Sequence, residues 1–200
     1  MKKVLVVHGS PRKQGNSHAV VDALCEGFNE NVDTTTYELS RLDTKGCLAC
    51  FACKGKTERC VVNDGLSEVL DAVHETDVLV LAAPVYFGDV CSQMKTFIDR
   101  LYHLFLPNFH DATPSDGDNT GNVRVSRLRE GVKLIFITTQ GSIDPALFAD
   151  INPRYERFFR WLGFDEVYNI RGVGEPARHA GHQMDKAFAQ ARALASDAVA

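Results

Sequence analysis

The chain has 200 residues, 44% of them hydrophobic, and a formal net charge of −4. This size suits one α/β domain, and the apolar fraction is sufficient for a real core. The modest negative charge argues against a nucleic-acid surface, and no apolar run approaches the ~20 residues that span a bilayer.

The start of the chain, Met1-Lys2-Lys3, leads directly into a strand-like run and lacks the features of a signal peptide. We therefore expect a cytoplasmic protein. That expectation bears on its six cysteines, because a reducing compartment disfavours structural disulfides.

Strand and helix signals alternate from end to end. The predicted strands are residues 3–8, 34–39, 77–83, 133–139 and 164–170. The predicted helices are residues 20–28, 66–73, 91–105, 155–162 and 184–195. Asp64 is the expected N-cap of the second helix, and Gly163 is the expected C-cap of the fourth. This alternation predicts a doubly wound, five-stranded parallel sheet with helices on both faces.

Two segments interrupt the alternation within the single domain predicted for residues 1–200. Residues 46–61 form a cysteine-rich insertion, and residues 107–130 form a long connection without a clear period. A connection of this length is usually functional or disordered. It predicts either a flap near the active site, a subunit contact or a floppy surface loop.

The first strand ends in the polar loop Gly9-Ser10-Pro11-Arg12-Lys13-Gln14-Gly15-Asn16-Ser17, which leads into a helix. The first N–H groups of a helix have no partner within it, and the helix dipole favours an anion there. This loop is therefore a candidate site for the phosphate of flavin mononucleotide (FMN). The alternative is an ordinary strand-to-helix turn with a serine or asparagine cap.

Two further loops follow predicted strands, at residues 83–88 and 138–142. Ligands of open α/β sheets sit at the carboxyl ends of the strands, where such loops meet. An aromatic loop and a small polar loop suit a flat flavin ring, although Tyr86 and Phe87 could instead serve turn packing. The residues predicted to bind FMN are Ser10, Arg12, Asn16, Ser17, Pro84, Val85, Tyr86, Phe87, Gly88, Thr138, Thr139 and Gly141.

Four cysteines, Cys47, Cys50, Cys53 and Cys60, have the spacing C-x2-C-x2-C-x6-C. Four thiolates in so short a segment suit a [4Fe–4S] cluster, in which each iron takes one cysteine. Zinc also takes four cysteines, although structural zinc sites usually separate two cysteine pairs by a longer loop. Disulfides would be strained at this spacing. Unmetallated thiols are the third alternative.

The polar loop and Pro84-Val85-Tyr86-Phe87-Gly88, together with Met94-Lys95-Thr96-Phe97-Ile98-Asp99-Arg100, resemble the NAD(P)H-dependent FMN reductase family, which has the flavodoxin-like fold. The resemblance covers residues 3–170. It implies FMN bound by the three loops, usually in a homodimer or homotetramer. We assign no catalytic role to Lys95, Asp99 or Arg100, because charged residues on a helix usually form a solvated face or an i, i+4 pair.

The cysteine spacing resembles that of the iron–sulfur flavoproteins, a branch of the same group. That resemblance implies a [4Fe–4S] cluster on these four cysteines that exchanges electrons with FMN. The expected function is then that of an FMN oxidoreductase or electron-transfer flavoprotein. NAD(P)H or ferredoxin would be its electron donor, and a small molecule or a protein its acceptor.

Two alternative functions stay open. The first is a cluster-free reductase that takes hydride from NAD(P)H and reduces quinones or free flavin. The second is a non-enzymatic, flavodoxin-like electron carrier. No dinucleotide fingerprint is present, so the sequence indicates no dedicated NAD(P)H site.

Overall fold

The structure is a computed structural model that describes residues 1–111, 125–176 and 180–199. Its strands are β1 (Lys2–His8), β2 (Val32–Glu38), β3 (Val78–Tyr86), β4 (Asp89–Val90), β5 (Lys133–Gln140) and β6 (Glu166–Val173). Its helices are α1 (Asn16–Cys25), α2 (Leu66–Glu75), α3 (Ser92–Arg100), α4 (Ile151–Leu162) and α5 (Met184–Ala198).

Five strands form a parallel sheet in the order β2-β1-β3-β5-β6. The chain moves outward from β1 to β2, then crosses back to the other side of β1 for β3. This order is flavodoxin-like, and its switch point lies between β1 and β3. The predicted doubly wound parallel sheet is confirmed, and the carboxyl ends of β1 and β3 are where a ligand is expected.

Both faces of the sheet are covered by helices, which explains the continuous apolar run at the start of β3. Leu79 and Leu81 point to one face and pack in a core with α2, α3 and α4. Val78 and Val80 point to the other face and pack in a core with α1 and α5. A strand buried on both faces must be apolar at every position, because successive side chains alternate.

Two details differ from the sequence prediction. The sheet has a sixth strand, β4, which pairs antiparallel with the end of β3. Two residues are too few for a hydrophobic period to reveal. Helix α3 ends at Arg100 rather than at Phe105, and a 3-10 turn at Leu101–Leu104 follows it.

The long connection predicted at 107–130 is only partly described, since residues 112–124 lie outside the described residues. The described flanks are fixed against the protein. Val125 and Leu128 are buried, and the Leu106 N–H donates to the Val125 carbonyl at 2.8 Å. The prediction of a flap or subunit contact therefore stays untested for the central residues. Among the helices of the described ranges, none has the length and apolarity to cross a membrane.

Replacing Gly163 with alanine should destabilise the fold by about 1–3 kcal/mol. Gly163 is the C-cap of α4, as predicted, with a φ of 101°. A Cβ there would lie 2.6 Å from the Ser126 Cβ, so backbone strain and a clash act together. Urea unfolding measures the loss. Gly131→Ala is the matched control, because Gly131 has a φ of 82° and open space around it. An equal loss in both variants would contradict the clash.

Candidate functional site

The polar loop after β1 ends at Gly15, which takes the N-cap position of α1 and has no side chain to cap the helix. The alternative of a serine or asparagine cap is therefore wrong. The Ser10 hydroxyl instead accepts the Arg12 N–H at 3.1 Å, within the loop. The first N–H groups of α1 remain directed at the loop, which is the arrangement that binds an anion. Arg12 and Lys13 are exposed on the same loop.

The aromatic loop after β3 is a two-residue β-hairpin. Tyr86 pairs with Asp89, and Phe87 and Gly88 form the turn with φ angles of 49° and 85°. Such a turn requires positive φ at both positions, which is strained for phenylalanine. Strain of this kind is concentrated at functional sites. Phe87 is fully exposed, so the hairpin presents its ring to solvent.

In the structure the third loop extends beyond residue 142 to the start of α4 at Ile151, and it lies against the hairpin. A Cβ on Gly88 would meet the ring of Phe148 at 3.7 Å, so the hairpin and the third loop are in contact. Thr138 and Thr139 are buried at the end of β5, and Gly141 is exposed. The Thr138 hydroxyl donates to the Asn152 side chain at 2.6 Å. This hydrogen bond directs the Thr138 side chain toward α4.

The remaining predicted FMN residues lie at the same edge of the sheet. Ser17 is buried in the first turn of α1, while Pro84 and Val85 are partly buried near the end of β3. Cys91 follows the hairpin, and its buried thiol donates to the Gly9 carbonyl at 3.2 Å. This bond joins the polar loop to the start of α3.

Gly174, just after β6, also belongs to this edge, and no sequence pattern predicted it. The Asn16 side chain donates to the Gly174 carbonyl at 3.3 Å. A Cβ on Gly174 would also lie 3.2 Å from Ile143 of the third loop. Gly174 therefore connects the polar loop to the third loop. Its hydrogen bond from Asn16 spans 158 residues of chain, so a local pattern could not reveal it.

The four cysteines of the insertion line one small pocket. Cys47 and Cys50 are exposed, while Cys53 and Cys60 are partly buried. All six cysteines of the chain lie in the described ranges and are free thiols. Phe51 has a φ of 55°, and Ala49 has a φ of 48°, so two strained residues flank Cys50.

A single tetrahedral zinc ion does not match this thiol arrangement. Zn–S bonds of about 2.3 Å put the four sulfurs about 3.8 Å apart. In the described part of the chain, the one group with three ligand atoms within 4.8 Å of one another is His8, His18 and Glu38. No three cysteines meet that limit, so their sulfurs are more widely spread than one zinc ion requires.

Cationic side chains surround the cysteine pocket. Lys54 donates from Nζ to the carbonyls of Tyr102 and Phe105, and its ammonium lies 4.1 Å from the Tyr102 ring centre. Burial lowers the pKa of Lys54 to about 8. Arg127 donates to the Cys53 carbonyl at 3.1 Å. Burial raises the pKa of the Cys53 thiol, which the nearby Lys54 partly offsets.

Arg100 was expected on a solvated face, and that expectation is wrong. Its side chain is fully buried and forms an ion pair with the buried Asp64 at 2.9 Å. Gly65 takes the N-cap position of α2, one residue later than predicted, but the Asp64 carboxylate does accept the Leu66 N–H of the first turn at 3.0 Å. Burial favours the neutral acid, but hydrogen bonds from Arg100 and two backbone N–H groups outweigh it and lower the pKa of Asp64. The i, i+4 alternative is confirmed for Lys95 and Asp99.

The family profile described as NADPH-dependent FMN reductase matches residues 2–113, which is more than half of the chain. This chain belongs to that family. The matched residues include the polar loop, the cysteine insertion, the hairpin and α3. The description of this family names an FMN reductase activity.

Two curated relatives differ in what their names state. An iron-sulfur flavoprotein of Archaeoglobus fulgidus is 39% identical to this chain over 112 residues, which cover 56% of this chain and 49% of the relative. An NADH-dependent FMN reductase of Pseudomonas putida is 28% identical over 107 residues, covering 52% of this chain and 54% of the relative. The chain spans about half the length of these relatives.

The structural comparison extends over the whole fold. An FMN-dependent NADH-azoreductase of Bacillus anthracis, solved in complex with FMN, superposes with a TM-score of 0.67 and 15% identity. The match covers 100% of both chains. At this identity the likeness shows a shared flavodoxin-like fold and nothing about substrates.

A buried histidine pair flanks the polar loop, since His8 precedes it and His18 follows it. The rings of His8 and His18 are stacked, with centroids 3.9 Å apart, and His18 Nε2 donates to Glu38 at 3.0 Å. A shared metal ion would have to lie in the planes of both rings, and parallel stacked rings do not permit this. Burial, and to a smaller extent the nearby His18, lower the pKa of His8 to about 4. Glu38 and Asp22 act on this pKa in the opposite direction.

Acidification should destabilise the folded chain through His8. Below pH 6.5 the unfolded chain binds a proton on this residue, whereas the folded chain does so only near pH 4. The unfolded state then binds more protons, so stability falls as the pH drops across that window, by up to about 1.4 kcal/mol per pH unit. Urea unfolding at pH 7 and pH 5 should show a smaller loss in His8→Gln than in the unmodified chain. Equal losses would contradict this assignment.

A second, apolar cavity of about 340 Å³ lies between α3 and α4. Ile98, Tyr102 and Phe158 are among its lining residues, and Lys95–Asp99 and Arg154–Asp89 are ion pairs at its edge. Tyr102 also lines the cysteine pocket, so the two depressions share this side chain.

Proposed function

We propose that this chain binds FMN with its phosphate at the polar loop of residues 9–17. The N–H groups at the start of α1 would donate to the phosphate, and the helix dipole would favour its charge. Ser10, Asn16 and Ser17 would add short donors, and Arg12 would add a positive charge. The support is the Gly15 cap, which leaves these donors free of a competing side chain.

The ring of FMN would lie against the hairpin and the third loop. Tyr86 and Phe87 would supply the flat apolar surface, since Phe87 is held exposed by a strained turn. Gly88 and Gly141 would let the backbone approach the ring. The ends of the adjacent strands carry Thr139, Pro84 and Val85. The Thr138 hydroxyl is bonded to Asn152, so we propose that Thr138 contacts FMN only through its backbone.

We further propose that Cys47, Cys50, Cys53 and Cys60 hold a [4Fe–4S] cluster. The observation that carries this proposal is the common pocket that all four free thiols line. The nearby Lys54, Arg127 and Arg100 would balance the negative charge of four thiolates. The names of the curated relatives add support.

When bound, FMN supplies hydride or single-electron exchange and the cluster supplies single-electron exchange, which together connect two-electron and one-electron partners. The chain's own residues fix the two groups and tune their surroundings. NAD(P)H or ferredoxin is the proposed electron donor, and a small molecule or a protein is the proposed acceptor.

Anaerobic purification tests the cluster. The protein should show flavin absorption bands together with broad iron–sulfur absorbance, and chemical assay should find about four iron and four sulfide per chain. Flavin bands alone, after anaerobic reconstitution with iron and sulfide, would rule out the cluster.

Stopped-flow reduction tests the donor. The bleaching of the flavin band by NADH and by NADPH is followed under anaerobic conditions. Reduction by either one within seconds identifies a pyridine nucleotide as the donor. If neither reduces the flavin, whereas reduced ferredoxin does, ferredoxin is the donor.

A cluster-free NAD(P)H-dependent FMN or quinone reductase is the second candidate. The relative from Pseudomonas putida, whose name mentions no cluster, favours it. This second candidate predicts that replacing the insertion cysteines leaves the turnover rate equal to that of the unmodified chain.

Self-association is part of the proposal, because the apolar cavity between α3 and α4 and the exposed Phe158 offer a surface for a second copy. Light scattering should then give the mass of a homodimer or homotetramer. A monomer at micromolar concentration would contradict it.

A further inference from the structure

Arg100 at the end of α3 is the largest fully buried side chain among the described residues. Its guanidinium donates hydrogen bonds to four residues that lie at or next to the two ends of the cysteine insertion. Nη1 donates to the Lys45 carbonyl at 2.9 Å and to Asp64 at 2.9 Å. Nη2 donates to the Val62 carbonyl at 2.9 Å, and Nε donates to the Cys60 sulfur at 3.1 Å.

These contacts lie on both sides of the four cysteines. Lys45 precedes the first cysteine, while Cys60 and Val62 are at the end of the insertion. One buried side chain on a rigid helix therefore joins the two ends of a segment that has little regular structure. Only a planar fork with five N–H donors can reach these groups together, so a lysine could not replace Arg100 fully.

The bond to sulfur is not needed for the ion pair. Asp64 is engaged by the two Nη atoms, and this pair alone would compensate the buried charge. The Nε–H is left over and points at Cys60, so the geometry adds a charge-assisted donor to one of the four sulfurs. Arginine keeps its proton at every physiological pH, which makes this donor permanent.

We propose that Arg100 is a positioning residue that holds Cys60 in the ligand set and raises the reduction potential of the cluster. This inference rests on the proposed function, since it needs the cluster. Reduction adds one electron, and hence one negative charge, to the thiolate-bound cluster. A hydrogen bond and a positive charge at a ligand sulfur favour the reduced state.

The proposal predicts potential shifts of opposite sign in two variants. Arg100→Gln removes the charge and the donor to sulfur, so the midpoint potential should fall. Asp64→Asn keeps an oxygen that accepts from Arg100 but removes the negative charge beside it, so the potential should rise. General damage to the pocket would not move the two potentials in opposite directions.

Potentiometric titration of the anaerobically reconstituted, FMN-loaded full chain, followed by electron paramagnetic resonance, measures both shifts. Iron, sulfide and FMN contents are assayed in parallel. Arg100→Lys retains the charge without the fork, so its potential should lie between those of the unmodified chain and Arg100→Gln. If Arg100→Gln does not fold, the midpoint potential of Arg100→Lys tests the proposal in its place. Arg129→Gln is the matched control, because Arg129 pairs with Asp77 and touches no described cysteine.

The outcomes separate the two proposals. An unmodified chain without iron and sulfide overturns the cluster and this inference together. A cluster in the unmodified chain, with unchanged potentials in the Arg100 and Asp64 variants, overturns only the role of Arg100. Loss of iron from Arg100→Gln, with FMN and the unfolding midpoint retained, supports the positioning role.

Discussion

Cys50→Ser is expected to remove iron and sulfide from the protein while leaving FMN bound. Cys50 is exposed and lies between two strained residues of the insertion, so its thiol is not needed for the core. A hydroxyl is a much poorer ligand for iron than a thiolate, and a cube with one open corner is easily lost. We expect the iron and sulfide contents to fall more than tenfold.

The control for this experiment is Cys25→Ser, because Cys25 is a partly buried cysteine of α1 outside the insertion. It should keep the full iron, sulfide and FMN contents. If Cys50→Ser loses FMN as well as iron, the insertion is a structural element of the FMN site, and the two-site assignment is wrong. If iron is retained, Cys50 is not a ligand.

Asn16→Asp is expected to weaken FMN binding by roughly a hundredfold. The new carboxylate lies at the start of α1, where the phosphate is proposed to bind. Two charges about 5 Å apart at an effective dielectric constant of about 20 repel by about 3 kcal/mol per unit charge. The same carboxylate interacts favourably with the helix dipole, so folding should not suffer from the charge.

Riboflavin, which lacks the phosphate, separates the electrostatic effect from other losses. Asn16 also donates to the Gly174 carbonyl, and this bond is lost in Asn16→Asp. Asn16→Ala loses the same bond without adding charge, so it should weaken FMN binding far less. Fluorescence titration of apoprotein gives all of these dissociation constants. The affinity for riboflavin should change equally in Asn16→Asp and Asn16→Ala. Asn31→Asp should leave the affinities for both FMN and riboflavin unchanged.

Equal weakening of FMN and riboflavin by Asn16→Asp would place the phosphate elsewhere. In that case the polar loop would contact the flavin ring or would not contact FMN at all. The family membership would stand, because it rests on the whole of residues 2–113 and not on one side chain.

Much of the fold could be predicted because it depends on local periodicity. The run at the start of β3 is apolar at successive positions, and only a strand covered on both faces requires that. Gly163 ends α4 in the left-handed conformation that the sequence indicated. The short strand β4 was missed because two residues carry no period.

The cysteine spacing alone indicated a metal-binding segment, and the loops after β1, β3 and β5 alone indicated an FMN site. Those signals are contiguous in sequence, so they could be read without knowing the fold. The sequence could not show that Asn16 bonds Gly174 at the end of β6, since 158 residues separate them.

The role of Arg100 was decided by the tertiary structure. As a helical residue five positions after Lys95, it shows no local pattern that distinguishes a buried cation from a solvated one. It is buried because the insertion folds over the end of α3 and brings Asp64, Lys45 and Cys60 to it, across 36 to 55 residues of chain. Residue type and spacing determined which groups we propose to bind iron and phosphate. Long-range packing decided which charges surround them, because burial of an ion depends on partners that only the folded chain brings together.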